Sequence, residues 1–359
     1  MFKIIKILLI NILIFLFIYL LIEVFSGRLL FNKNQLNCSY ILCDKKIIYD
    51  GVLFHNSATT YNIVYQKDKF GFRGRKKTLD KIDILTVGGS TTDERYLKLE
   101  DTWSEKLEKK FKSTYQNFDV VNAGIDGQST NGHLWNFENW FNKLENFKPK
   151  YIIFYIGINE VLSQQVNVYK HGNNYDNNTN ISKLTFFRKI QYFLKKNNGI
   201  TYKSYNLIYK KWFLKDKAQV GHDALRKKLK YIIPSEKRKI NYSTKEMFIN
   251  NLKKLTEYSK SQNSIPIFVT QRTRRWHKEN NIVYSVSKVD FYKYEKEVSE
   301  TILFFCEKNK LFCVDLNGIL DLEENDTYDR IHLTTTGAEK VAEKIFNNIK
   351  NYIYTNMIN

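Results

Sequence analysis

Val87-Gly88-Gly89-Ser90-Thr91-Thr92 is the stretch of sequence that decides the fold. The apolar run from Ile82 to Val87 leads into it and predicts a buried strand. Two glycines then allow the backbone to turn sharply and to approach another group closely. A serine at the carboxyl end of a strand stands where open α/β sheets bind ligands. On this segment alone, a tight turn before a helix capped by Ser or Thr is an equally good interpretation.

The chain on both sides of this turn alternates apolar runs with segments of helical spacing. The apolar runs predict five strands, at residues 82–87, 118–122, 151–156, 265–269 and 311–315. Capping signals and apolar spacing predict helices that begin near Thr102, at Ser129 or Thr130, near Thr244, near Asp290, and at Thr335 or Thr336. This alternation predicts a five-stranded parallel sheet in a three-layer α/β/α sandwich.

The composition predicts a folded protein with an excess of positive charge. The chain has 359 residues, of which 43% are apolar and 26% charged, so one large α/β domain with an insertion is expected. A net charge of +20 indicates either an anionic partner or the Lys- and Asn-rich usage of an AT-rich genome. We favour the second interpretation and expect no nucleic-acid partner, because no basic stripe accompanies a nucleic-acid-binding motif.

The N-terminus carries a topological signal. Lys3 and Lys6 precede an apolar run over residues 7–22, which is near the minimum length for a membrane-spanning helix. No small-x-small cleavage site follows it, so residues 1–25 are predicted to be an uncleaved single-pass anchor. The positive charges before the run favour an N-terminus inside the cell and the bulk of the chain outside the cytoplasm, either periplasmic or extracellular.

Two segments follow the predicted anchor, and the second contains an insertion. Residues 26–80 are interpreted as a membrane-proximal segment, in which Lys69-Phe70-Gly71-Phe72-Arg73-Gly74 predicts an ordered turn packed on the main domain. Residues 81–359 are predicted to form the main α/β domain. Residues 161–243 interrupt its strand–helix pattern and are interpreted as an insertion over the carboxyl edge of the sheet, either a substrate-shaping lid or a decorated loop.

The chain has four cysteines. Cys38 and Cys43 lie close enough in sequence to close a small disulfide loop, and three pairings are possible among the four residues. Cys306 and Cys313 fall on a predicted helix and strand, where two buried thiols are an equally good interpretation. Because none of these cysteines has zinc-type spacing with a histidine, we predict no metal and no other cofactor.

Polar residues follow the predicted strands at one edge of the sheet. Gly124 comes after the second strand, Asn159 after the third, and the pair Asp329 and His332 after the fifth. Together with Ser90 they supply a nucleophile, a base, an acid that orients the base, and donors for an oxyanion, which are the parts that acyl transfer requires. Taken singly, Asn159 and Asp329 also suit a helix cap or a turn, and His332 suits a core position.

These residues resemble the conserved blocks of the SGNH hydrolase (GDSL esterase/lipase) superfamily, of the membrane-anchored bacterial type. The matching segments, over roughly residues 80–350, are Gly88-Gly89-Ser90-Thr91-Thr92, Asn122-Ala123-Gly124, Gly157-Ile158-Asn159-Glu160 and Asp329-Arg330-Ile331-His332-Leu333-Thr334. The resemblance implies a flavodoxin-like sheet, Ser90 as nucleophile, His332 as general base and Asp329 as its orienting acid. It also implies an oxyanion hole made by the N–H groups of Ser90 and Gly124 and the side chain of Asn159.

Departures from the family pattern in two of the blocks bear on this prediction. Gly89 stands where the family has an aspartate and Thr91 where it has a leucine, and the third block ends in Glu160 rather than aspartate. None of them replaces a triad residue or an oxyanion donor. An α/β-hydrolase is the rival enzyme fold, but Thr92 stands where its Gly-x-Ser-x-Gly elbow requires the second glycine.

Three functions are consistent with this sequence. The first is a serine esterase that removes short acyl groups from an envelope glycan or a lipid. The second is an O-acyltransferase acting on an exported polysaccharide, in which a sugar hydroxyl replaces water. The third is a catalytically idle binding module of the same fold, against which the intact triad argues.

The predicted anchor leads to a first test. The full chain is expected to fractionate with membranes and to resist alkaline extraction, because burial in hydrocarbon rather than charge holds an apolar helix in the bilayer. A variant that begins at residue 27 serves as the control and is expected in the soluble fraction. Release of the full chain by alkali or by high salt alone would contradict the anchor.

Overall fold

A parallel sheet lies at the centre of the protein in the computed structural model, which describes residues 2–25, 36, 38–50, 62–74, 78–163, 204, 229–236 and 242–358. The strands are β1 Lys46–Asp50, β2 Asn62–Gln66, β3 Ile84–Gly88, β4 Val120–Asn122, β5 Tyr151–Tyr155, β6 Ile265–Val269, β7 Trp276–Glu279, β8 Ile282–Ser285 and β9 Phe312–Val314. The helices are α1 Phe2–Phe25, α2 Cys38–Ile41, α3 Ser90–Asp93, α4 Trp103–Lys112, α5 Thr130–Asn139, α6 Ile158–Ser163, α7 Tyr242–Ser261, α8 Phe291–Asn309, α9 Leu316–Ile319 and α10 Thr335–Ile358.

The central sheet has the strand order β4-β3-β5-β6-β9, and every neighbouring pair is parallel. The predicted five-stranded parallel sheet is therefore confirmed, with strand ends that differ from the predicted ones by no more than two residues. In this order β3 is the second strand and β5 the central one. Their carboxyl ends, which carry Ser90 and Asn159, lie side by side.

Helices cover both faces of the sheet, as the sandwich requires. Side chains alternate between the faces along each strand. In β5, Ile153 belongs to a core that includes residues of α4 and α10, such as Leu107 and Ile345. The next residue, Phe154, instead contacts Phe137 of α5 on the opposite face.

A local signal explains where α4 begins, and a tertiary contact explains where α5 ends. The hydroxyl of Thr102 accepts a hydrogen bond from the N–H of Glu105 at 3.4 Å, so it caps α4 as the sequence predicts. The helical spacing of apolar residues in the sequence continues to Leu144, whereas α5 ends at Asn139. The reason is tertiary: Trp140 leaves the helix, and its indole N–H donates to the carbonyl of Phe70 at 2.6 Å.

Two antiparallel hairpins were missed by the sequence analysis. In the first, β1 pairs with β2, and in the second, β7 pairs with β8. Asn280 and Asn281 form the turn of the second hairpin with φ angles of +46° and +63°. Asparagine tolerates this left-handed conformation better than most residues, so the Asn-Asn pair was a signal for a tight hairpin.

The N-terminal helix and the cysteines agree with part of what was expected. Among the described helices, one is apolar and long enough to cross a membrane, over Ile5–Glu23 with a mean hydropathy of 2.8, and a signal sequence has the same properties. Disulfides join Cys38 to Cys43 and Cys306 to Cys313. The alternative interpretation of Cys306 and Cys313 as two buried free thiols is therefore wrong.

Most of the predicted insertion, residues 161–243, lies outside the described residues. The described part includes residues 229–236, where Ile232 exchanges two backbone hydrogen bonds of 2.8 Å with Ser285 at the end of β8. The boundary predicted at residue 80 and the role of the insertion stay predictions.

The core makes a clear stability prediction. Phe111 is fully buried on α4 and stacks on Phe118 with ring centroids 4.3 Å apart. Phe111→Ala should lower the free energy of unfolding by about 3 to 5 kcal/mol, because it removes buried apolar surface and leaves a cavity. Phe304, on α8, is 66% exposed, so Phe304→Ala is the matched control and should change it by less than about 0.5 kcal/mol. Urea denaturation measures both, and equal effects would contradict this core.

Candidate active site

The turn after β3 brings Ser90 to the carboxyl edge of the sheet. A Cβ atom on Gly88 would lie 2.8 Å from the backbone oxygen of Tyr155, and one on Gly89 would lie 3.0 Å from that of Gln128. The first distance is too short for a side chain, and a side chain on Gly89 would in addition meet the amide of Asn159, so the backbone or its neighbours would have to shift at either position. Ser90 then begins α3 and is half-buried, so its hydroxyl is held at the rim of the sheet without being enclosed.

The structure brings Ser90, His332 and Asp329 together across 242 residues of sequence. The Ser90 Oγ lies 2.8 Å from the His332 Nε2, and the His332 Nδ1 lies 2.7 Å from the Asp329 Oδ2. The other carboxylate oxygen of Asp329 accepts the backbone N–H groups of Ile331 and His332, each at 2.6 Å. Asp329 therefore shapes its own turn and fixes the ring of His332 in the same step.

The electrostatic environment favours an anionic Asp329 beside a basic His332. Burial raises the pKa of the Asp329 carboxyl, but its charge interaction and hydrogen bonds with His332 outweigh burial and hold this pKa below its usual value. Burial in turn lowers the pKa of His332, and the Asp329 carboxylate more than offsets it, so this pKa lies above 6.5. A neutral His332 that donates from Nδ1 leaves Nε2 free to accept the hydroxyl proton of Ser90.

Asn159 lies beside the serine turn, as the sequence predicts. Its side-chain amide donates to the backbone oxygen of Gln128 at 2.6 Å, and it is the first contact that a side chain on Gly89 would meet. One amide hydrogen remains for another acceptor. Glu160, the departure in the same block, accepts the N–H of Thr130 and caps α5, so its role is structural.

The structure gives the N–H of Gly124 a partner within the chain. Its N–H donates to the side-chain oxygen of Asn122 at 2.9 Å, so the group is engaged within its own loop. The amide of Asn122 meanwhile donates to the backbone oxygen of Thr92 at 2.6 Å. Asn122 therefore joins this loop to the serine turn and takes up the donor that the sequence analysis assigned to an oxyanion.

Gln271 is a site residue that the sequence analysis missed. Its amide donates to the hydroxyl of Thr91 at 2.8 Å, and its side-chain oxygen accepts the N–H of Ile158 at 2.7 Å. It thereby joins the residue after Ser90 to the residue before Asn159. Gln271 follows β6 at the edge where the other blocks lie, and this position was a signal that could have identified it.

A buried cluster of charges lies behind Ser90, and the sequence analysis missed it too. Asp93, the last residue of α3, accepts a hydrogen bond from the hydroxyl of Tyr65 at 2.8 Å and pairs with Arg95 at 3.0 Å. Burial raises the pKa of Asp93, but Lys67 and the neighbouring arginines, Arg73 and Arg95, outweigh this effect and hold the pKa below its usual value. Asp93 is therefore an anionic link between the serine turn and the membrane-proximal segment.

Metal ligation is not indicated in the described ranges. No group of three or more His, Cys, Asp or Glu side chains there could hold a metal ion.

The chain belongs to the GDSL-like lipase/acylhydrolase family, whose sequence model matches residues 84–345. This range contains all four sequence blocks, from Gly88 to Thr334. The protein is accordingly a serine hydrolase that cleaves ester bonds. A search of curated protein sequences found no match.

Several solved structures share similarity with the chain at low sequence identity. The match to a structure of TesA covers 75% of this chain and 98% of the TesA chain, at 13% identity and a TM-score of 0.43. A lipolytic protein of the G-D-S-L family from Veillonella parvula covers 74% of this chain and 97% of its own, with the same identity and TM-score. A mutant of an acetyl-xylooligosaccharide esterase from Geobacillus covers 74% and 93%, at 14% identity and a TM-score of 0.41.

The raised pKa of His332 predicts the pH dependence of turnover. Because the imidazole must be neutral to accept a proton, kcat/KM should fall as the pH decreases through a midpoint above 6.5. Asp329→Asn removes the charge that raises this pKa, so its acid limb should move to lower pH while its maximum rate also falls. Measured pH profiles of both proteins check this, and an unshifted limb in Asp329→Asn would contradict the assigned pair.

Proposed function

We propose that the protein is a serine esterase that hydrolyses short-chain acyl esters on an envelope glycan or a lipid. The observation that carries the proposal is the continuous hydrogen-bond path from Asp329 through His332 to Ser90. A serine hydroxyl within 2.8 Å of a histidine that a partly buried carboxylate orients is the arrangement that nucleophilic acyl transfer needs. Membership of the acylhydrolase family supports the same reaction class.

The proposed reaction has two halves. In the first, His332 removes the hydroxyl proton of Ser90 as Oγ attacks the ester carbonyl, and the protonated His332 then gives this proton to the departing alcohol. In the second, His332 removes a proton from water, which attacks the acyl-serine, and the protonated His332 then returns this proton to the Ser90 Oγ as the carboxylic acid leaves. Asp329 stays ionised throughout and stabilises the imidazolium in both halves.

The proposed oxyanion hole differs from the one that the sequence predicts in one donor. Its first two donors are the N–H of Ser90 and the remaining amide hydrogen of Asn159. For the third we propose the N–H of Gly127 in place of that of Gly124. Gly127 has a φ of +74°, precedes the residue whose carbonyl Asn159 binds, and its N–H donates to no other described residue.

The proposed substrate location follows from the N-terminal helix. Residues 5–23 are apolar enough to span a bilayer, and a catalytic domain tethered there would meet lipids and surface glycans at high local concentration. We therefore propose that the anchored enzyme acts at the outer face of the cytoplasmic membrane.

Two measurements on the full chain test the esterase. Ser90→Ala and His332→Ala should each nearly abolish hydrolysis of a chromogenic acetyl ester, and the double variant should be little worse than either, because the two residues act as one unit. A fluorophosphonate probe should label the wild type and not Ser90→Ala. Folded wild-type protein that neither takes the probe nor cleaves any short-chain ester would overturn the proposal.

The contribution of Asn159 has a separate test. Asn159→Ala should lower kcat by about 10²- to 10³-fold, because it removes one donor to the oxyanion. Asn139→Ala is the control, since among the described residues Asn139 donates to the carbonyl of Trp135 near the end of α5 and to no group of the site. A kcat for Asn159→Ala near that of the control would remove Asn159 from the mechanism.

A further inference from the structure

A lysine from the membrane-proximal segment lies buried behind the serine turn. Lys67 directly follows β2, and its side chain is only 1% exposed. Its Nζ donates to the backbone oxygen of Gly124 at 2.8 Å and lies 3.8 Å from the Asp93 Oδ1. One ammonium group therefore contacts both the helix that begins at Ser90 and the neighbouring loop.

Both partners of Lys67 are close in sequence to groups that the reaction uses. Asp93 is three residues after Ser90 on the single turn of α3, and its carboxylate also accepts the hydroxyl of Tyr65. Gly124 is three residues before Gly127, the proposed oxyanion donor. A displacement of either partner would therefore move the nucleophile relative to the oxyanion donor, although Lys67 itself touches neither.

The segment that carries Lys67 is docked firmly at this place. The backbone N–H of Arg73 donates to the oxygen of Asn122 at 2.9 Å, at the end of the edge strand β4. The guanidinium of Arg73 donates to the oxygen of Leu97 at 2.7 Å and lies over the ring of Tyr65, 4.4 Å from its centre. These contacts hold Lys67 in a fixed position against the catalytic domain.

We propose that Lys67 is a positioning residue for the proposed esterase, and that its ammonium group aligns the Ser90 turn with the loop over residues 122–128. This inference rests on the proposed function. It gives the membrane-proximal segment a part in catalysis in addition to linking the domain to the N-terminal helix.

The charge of Lys67 makes the alignment sensitive to alkaline pH. Burial lowers the pKa of Lys67 to about 8, and Asp93 and Asp68 oppose this shift while Arg73 and Arg95 add to it. When the ammonium loses its proton, the ion pair with Asp93 is lost. The rate should then fall as the pH rises through about 8.

Stability should respond to the same titration with the opposite sign. The pKa of Lys67 is about 8 in the folded protein and near its usual 10.5 in the unfolded chain. Between these values the unfolded chain binds more protons, so this group makes stability rise with pH. Loss of activity without loss of stability in this range therefore distinguishes positioning from unfolding.

The experiment compares Lys67→Met with Lys150→Met in the full chain, solubilised in detergent. Lys150 is the matched control, because it pairs with Asp83 at 2.8 Å next to the amino ends of β3 and β5, away from Ser90. Lys67→Met should lower kcat by about 10- to 100-fold, as misplacement of reacting groups does, with little change in KM. Its kcat should also lose the alkaline limb that the wild type and the control retain. The rate of fluorophosphonate labelling of Ser90 should change in parallel.

Each outcome decides the matter. A wild-type kcat that stays flat between pH 7 and about 10 would overturn the proposal even if Lys67→Met did not fold, because this range brackets the titration of Lys67. A folded Lys67→Met with the rate and pH profile of Lys150→Met would overturn it as well. If the wild type itself shows no ester turnover and no labelling that depends on Ser90, the proposed esterase fails instead.

Discussion

The hydrogen bond between Asp329 and His332 is the interaction on which the proposed chemistry of this protein depends. It orients the imidazole toward Ser90, and it gives His332 the basicity to accept a proton. The two residues are only three apart in sequence, and Asp329 also binds two backbone N–H groups of the same turn. The turn over residues 329–332 therefore holds the proposed base and its orienting acid as one preformed unit, and the sheet needs only to supply the serine.

The sheet supplies the serine by placing its strand ends side by side. Because β3 lies between β4 and β5, the turn with Ser90 is flanked on one side by the end of β4 at Asn122 and on the other by the helix with Asn159. Side-chain amides then fix the distances between these segments, and Asn122, Asn159 and Gln271 each bind a backbone group of a neighbouring segment. The buried charges of Asp93 and Lys67 add the membrane-proximal segment to this arrangement.

The sequence was sufficient to predict the sheet and to select Ser90, His332 and Asp329, which the structure brings together, because both leave local signals. Apolar runs mark buried strands, and Ser90, Asn159, Asp329 and His332 follow such runs in order. It did not reveal that Asn122 accepts the N–H of Gly124, since spacing does not show which partner a backbone N–H has. Lys67, like the β1–β2 hairpin before it, gains its environment only through contacts with distant segments. Local pattern therefore identifies the groups that react, whereas the groups that hold them in place emerge from tertiary packing.

The most direct measurement is a crystal structure of the protein after reaction with a fluorophosphonate, since the bound phosphonate stands in for the tetrahedral intermediate. We predict a bond from phosphorus to the Ser90 Oγ, with the phosphoryl oxygen about 3 Å from the N–H groups of Ser90 and Gly127 and from the amide of Asn159. Gly124 should still donate to Asn122. Attachment at a different residue, or a phosphoryl oxygen directed away from Asn159, would contradict this account of the site.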